Sequence, residues 1–342
     1  MKHRHHFLAD AARRFVARTP GNFAARAIRN SVAATSSRLR LVTVVLALLA
    51  LTTLHAVSSS AQQVADPNFD TKIARPAYAA NEHPKVLFDE AHHNFHTATG
   101  RYKPFADLIT SDGYRITPNS QPFTAAALKP FDILVISNAL GAPQMNAPEA
   151  SNSPFTDAEC DAVRDWVRAG GALLLISDHA PMGAAAEKLA QRFGVGMSKA
   201  FTLDPANTPP ADNNPGFIIY TRDNKSLADH PITRGRNAAE RVGRVVSFTG
   251  QSLKAPEGGV AFMKLADTAK DALPGGEQVS AAGRAQGLAF AFGRGRVVVM
   301  GEAGMLSAQL SGADKKPFGM NRPGIDNRQL ALNIMHWLSC LL

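Results

Sequence analysis

Apolar residues fall into short blocks along the chain, and the hydrophobic period alternates between strand-like runs and helix-like i, i+3, i+4 spacing. The first informative block is Lys85-Val86-Leu87-Phe88-Asp89-Glu90-Ala91-His92-His93-Asn94-Phe95-His96, an apolar run that stops abruptly at two carboxylates, three imidazoles and an amide. It predicts a buried strand with a polar terminus. Residues 101–111 place Phe105, Leu108 and Ile109 on one helical face and stop at Asp112-Gly113. Tyr114 to Thr117 predicts a second strand, and the almost wholly apolar Phe131 to Asn138 predicts a third, of the central parallel kind. After a Pro-, Asn- and Ala-rich loop over 141–154, Thr156 is a good N-cap with Glu159 three residues on, opening a helix that runs to Gly170-Gly171. Ala172 to Ile176 predicts a fourth strand ending in Ser177-Asp178-His179-Ala180-Pro181, with a helix over 183–193 behind it. Alternating strands and helices joined by short connections specify a doubly wound, mostly parallel sheet, whose right-handed crossovers bring these strand ends to one edge.

The pattern weakens over 198–260, where a loop at 205–216, strands at 217–220 and 245–249 and a turn-rich Asp229 to Gly235 are the readable pieces. Leu288 to Phe292 and Arg296 to Met300 flank Gly293-Arg294-Gly295 as a hairpin, whose second strand ends in Gly301-Glu302-Ala303-Gly304. Residues 327–341 form an amphipathic closing helix.

Charge changes the picture once it is located. The chain has 342 residues, 45% apolar, and a net charge of +9, but residues 1–40 contribute +8 of it (Lys2 and eight arginines against Asp10). The body after residue 61 is therefore nearly neutral and gives no electrostatic case for nucleic acid. Leu41 to Leu54 is an apolar block preceded by Arg38 and Arg40 and followed by Ser59-Ser60-Ala61, the form of a secretory signal. Its preface is too long for an ordinary signal, so initiation near Val32 or Leu39 is expected. The expected organisation is a basic leader and signal peptide over 1–61, a polar linker over 62–84 and an α/β domain over 85–342, periplasmic or secreted, touching a membrane only through an uncleaved leader. Cys160 and Cys340 can pair or remain two free thiols.

The chemistry gathers at the strand ends. Asp89, His92, Asp178, His179 and Glu302 are the candidate catalytic residues, and Glu90, His93, Asn94, His96 and Asn138 the candidate ligand contacts, with Ser137 beside them. Four of the seven histidines after residue 61 lie in these segments. Carboxylates and imidazoles at adjacent strand ends can act as general base and orienter, or hold a divalent metal with a water left for attack. Asp89, His92 and His96 have metal-ligand spacing only if their segment is helical. Asp178 and Asn94 can instead merely cap the next element, and the histidines can satisfy backbone groups. Ser177 lacks the flanking glycines of a nucleophile elbow, and no glycine-rich phosphate loop is present.

The Val86 to His92 opening, the strand from Gly170 to Ile176, the segment from Asp229 to Gly235 and the strand from Gly295 to Glu302 together resemble the class I glutamine amidotransferase-like superfamily, especially its exported members of unknown function. The resemblance, over residues 85–340, implies a flavodoxin-like three-layer sandwich, to which the apolar pattern adds a C-terminal β-hairpin and helix. Enzymes of that class use a cysteine at a strand-to-helix elbow. Here the elbow carries Ser177-Asp178-His179, so glutamine hydrolysis is not expected. The expectation is an exported hydrolase of a small or saccharide-like substrate, or alternatively a non-catalytic ligand-binding module of the envelope. Perturbed Asp and His groups in a cleft favour the first, and aromatic platforms beside solvated carboxylates the second.

Overall fold

The computed structural model describes residues 63–79 and 83–342, and the basic leader with its apolar block lies outside the described residues. Among the described residues no helix is long and apolar enough to cross a membrane.

A two-residue strand, β1 (Val64–Ala65), precedes the first core strand, β2 (Lys85–Asp89), which is buried from Val86 onward. Helix α1 (Lys103–Ser111) carries a proline in its first turn, where a missing N–H costs nothing, and ends where Gly113 adopts a φ of +98°. Strand β3 (Arg115–Asn119), a single turn α2 (Ala125–Leu128) capped by Thr124, and strand β4 (Ile133–Ser137) follow. Helix α3 (Asp157–Arg168) has the capping box its sequence promises, Thr156 Oγ1 accepting from the Glu159 N–H while the Glu159 carboxylate accepts from the Thr156 N–H. Strand β5 (Ala172–Ile176) and helix α4 (Met182–Gln191) complete the alternating half.

Short elements fill the stretch where the period fades: β6 (Gly196–Met197), β7 (Phe201–Leu203), β8 (Phe217–Thr221), α5 (Pro231–Arg234), β9 (Arg244–Phe248), β10 (Leu253–Lys254), β11 (Val260–Lys264), β12 (Lys270–Ala272) and β13 (Gln278–Ser280). His230 caps α5, its Nδ1 accepting from the Ile232 N–H at 3.2 Å. The expected hairpin is β14 (Ala285–Phe292) with β15 (Gly295–Met300), and a second hairpin, β16 (Ala308–Ser311) with β17 (Lys316–Gly319), precedes the closing helix α6 (Asn327–Leu338).

The main sheet runs β3-β2-β4-β5-β15-β14-β10-β6, with β11 also on β14. Its first five strands are mutually parallel, and their order is that of a flavodoxin-like sheet. Alternate residues of each strand feed two cores. Val86, Val135, Leu174 and Val298 pack with α1 and α6 on one face. Leu87, Leu134, Leu173 and Val299 pack with α3 and α4 on the other, giving three layers. The residues expected to be a linker are instead partly packed: β1 pairs with β16, and Phe69, Ile73 and Tyr78 lie against the core. Isolated anchors of this kind carry no period, so the segment reads as a tether in sequence.

Candidate functional site

All five parallel strands end on one edge, and there β5 and β15 deliver the two acidic groups. Glu302 is fully buried, its Oε1 accepting from the Gly304 N–H at 2.6 Å and its Oε2 from the Met305 N–H at 2.8 Å. Burial pushes its carboxyl up from the ordinary range toward neutrality, the Asp178 charge adds to this, and the two N–H groups oppose it. Asp178 accepts from the His179 N–H at 2.8 Å, and burial raises its carboxyl likewise. Two such groups close together share protons rather than titrate independently. The Glu302 turn lies against Gly250, where a Cβ would run into Gly301 O and the Glu302 side chain. Gly250→Ala is therefore expected to cost about 2–4 kcal/mol in denaturant unfolding, because backbone has to move. A loss below about 0.5 kcal/mol would show that the turn is loosely held.

His179 faces this pair. Its Nδ1 donates to Ala180 O at 2.7 Å, its ring stacks on Phe201 at 4.3 Å, and its Nε2 lies 4.0 Å from Asp178 Oδ1. Burial holds its pKa below the usual histidine value, so the imidazole is neutral with an Nε2 lone pair available. Asn138, at φ +48° just beyond β4, ties the strand ends together. Its Oδ1 accepts from the Asp178 N–H at 2.9 Å, and its Nδ2 donates to His96 Nδ1 at 3.3 Å. His96 also meets Ser137 Oγ at 3.2 Å and stacks on Tyr102. With burial and the nearby Arg101 charge its pKa falls to about 3, leaving a neutral ring whose Nε2 carries the hydrogen.

These groups line a cavity of about 300 Å³ with Asp178, His179, Glu302, His96 and Asn138 in its wall. Larger hollows among the described residues, of about 830, 1150 and 510 Å³, contain none of the strand-end residues. The cavity is also lined by Arg101, Met182 and Phe248, and by Gln63, Gln309 and Phe318 from the small sheet β1-β16-β17 and its edge.

The other strand-end residues do a different job. His92 is buried with both ring nitrogens occupied, Nδ1 by Asp89 at 2.9 Å and Nε2 by Glu159 Oε1 at 3.0 Å. Burial works against its charge, but the bonds and charges of Asp89 and then Glu159 win and raise its pKa. Burial likewise opposes ionisation of Glu159, and the bonds from Thr156, His92 and the Phe123 N–H hold its carboxyl below the usual range. Asn94 accepts from the His92 N–H and donates to Asp89 Oδ2, Glu90 accepts from the Ala98 N–H, and His93 is exposed. Asp89, Glu90, His92, His93 and Asn94 are thus absent from the cavity wall, and the turn after β2 builds its foundation.

The donor set does not fit a metal ion. The Asp89 to His96 segment is turns rather than helix, His92 has no free nitrogen, and no group of three His, Cys, Asp or Glu side chains among the described residues is arranged to hold one. Cys160 is buried in α3, Cys340 is exposed, and both are free, so neither supplies a nucleophile at the elbow.

No protein-family model matches the chain, and no curated protein matches it in sequence. Solved structures do. The mmIFT52 N-terminal domain aligns with a TM-score of 0.54 at 14% identity, over 74% of this chain and 97% of that one. The fold is flavodoxin-like. A ThuA-like protein from Bacteroides uniformis aligns at TM-score 0.40 and 13% identity, over 80% of this chain and 95% of that one. A protein assigned to GMP synthase, from Thermoplasma acidophilum, aligns at 0.39 and 10%, over 76% and 96%. At these identities the likeness concerns fold and not activity.

Proposed function

We propose that this chain is an exported acid–base hydrolase of a small, saccharide-like substrate, belonging to the glutamine amidotransferase-like superfamily without its cysteine chemistry. The observation that carries the reading is the buried Asp178 and Glu302 pair beside a neutral His179 whose Nε2 is unbonded, all in the wall of one cavity. A carboxyl that keeps its proton at neutral pH is suited to protonate a leaving group, and the His179 lone pair to take a proton from attacking water. Asn138 holds the Asp178 backbone and His96 in register for this. Export rests on the apolar block at 41–54 and the small residues behind it.

Phe95, Phe248 and Phe318 in the same wall favour a second reading, a saccharide-binding module. Hydrolysis of a panel of p-nitrophenyl esters and glycosides separates the two. The enzyme reading expects turnover that His179→Ala lowers by roughly 10²–10⁴-fold with KM changed only a few-fold. Saccharide binding with no turnover across the panel would leave the module.

A further inference from the structure

Arg101 is the only lysine or arginine among the described residues lining the cavity, and it is half-buried with its guanidinium over the Phe95 ring at 4.1 Å. Other partly buried arginines have partners: Arg284 reaches Ser252 and Asp271, Arg296 the carbonyls of Trp337 and Leu342, and Arg322 the Asp212 carboxylate. Arg101 has neither an ion pair nor a hydrogen bond among the described residues. Burial disfavours its charge, so a partly desolvated guanidinium stands ready for an anion.

A buried amide closes the wall on the hairpin side. Gln309 is 1% exposed and lines the cavity; its Nε2 donates to Ser307 Oγ at 2.7 Å, whereas its Oε1 has no partner. His96 adds an Nε2–H donor on the Arg101 side.

We propose that the cavity takes a monosaccharide-sized acid of the uronate type, its carboxylate on Arg101 and His96. This deepens the hydrolase reading, on whose cavity it rests. One guanidinium matches a monoanion, and the Asp178 and Glu302 pair discourages a more highly charged phosphate. The small volume admits about one sugar ring.

The test is calorimetric titration of the full-length protein with sodium glucuronate, glucose and glucose 6-phosphate near pH 7, for wild type, Arg101→Gln and Arg101→Lys. Glucuronate should bind at least 10-fold more tightly than glucose and than glucose 6-phosphate. Arg101→Gln should reduce the preference over glucose to under 2-fold, and Arg101→Lys should restore part of it. Thermal melts of the variants show that they are folded; if Arg101→Gln is not, Arg101→Met replaces it and should likewise reduce the preference over glucose to under 2-fold. Equal binding of glucose and glucuronate, tighter binding of the phosphate, no binding of glucuronate, or a preference indifferent to these substitutions overturns the proposal. Arg101-dependent uronate binding without hydrolysis of p-nitrophenyl glucuronide leaves this proposal standing and removes the hydrolase, and hydrolysis of neutral substrates with no preference for the acid does the reverse.

Discussion

Replacing His92 with alanine lowers the unfolding free energy by about 3–5 kcal/mol, the effect expected when one member of a buried ion pair is removed and its partners stay behind. Asp89 and Glu159 approach the ring from opposite sides, and Phe123 and Phe155 enclose it at centroid distances of 4.7 and 4.6 Å. Alanine leaves two buried carboxylates facing a cavity. Because the folded state raises the His92 pKa, its stabilisation is complete below the unfolded value of about 6.5 and fades as pH rises through the higher folded value. Urea midpoints at unchanged m-value measure the loss. A loss under about 1 kcal/mol, with ligand binding or turnover gone, would return His92 to the chemistry.

The second large effect belongs to the acidic pair and has its own sign. Burial makes Asp178 and Glu302 bind protons more tightly folded than unfolded, so between the ordinary carboxyl range and neutrality the folded state holds more protons. Stability therefore falls as pH rises through that window, by an amount on the order of a few kcal/mol. Glu302→Gln is less stable than wild type near pH 5, since an amide cannot accept from both the Gly304 and Met305 N–H groups. It nevertheless flattens the decline toward pH 9. The same substitution lowers turnover of any panel substrate by roughly 10²-fold or more. A decline as steep in the variant as in wild type would mean that Glu302 is ionised throughout.

The contrast between these two sites explains what could be read from sequence. Strands β2, β4, β5 and β15 were visible as apolar blocks, because strands covered on both faces need no polar alternation. Their polar termini were visible too, and Asp178, His179, Glu302, His96 and Asn138 do converge on the cavity. Which imidazole faces solvent and which is locked could not be read, since His92, His93 and His96 differ only in turn geometry, with His93 at φ +49°. Glu159 read as a cap, and it is one, while its second oxygen holds His92 across 67 residues of sequence. Arg101, Gln309 and Phe318 were missed for a different reason. They enter from a helix start and from a hairpin of two four-residue strands whose alternation is too short to register, although Gly312 to Lys315 is a recognisable turn.

Asn138 sits in a left-handed conformation that asparagine tolerates better than most residues, and one amide there grips both Asp178 and His96. The two halves of the cavity are thereby linked through a single side chain as well as through the sheet, where the Asn138 N–H donates to Ile176 O at 3.0 Å. Substitutions on the Arg101 side and on the Glu302 side will then not add independently, because each shifts a residue that the other depends on. Specificity and catalysis in this pocket have to be varied together, and a library that mutates one wall at a time will sample mostly broken combinations.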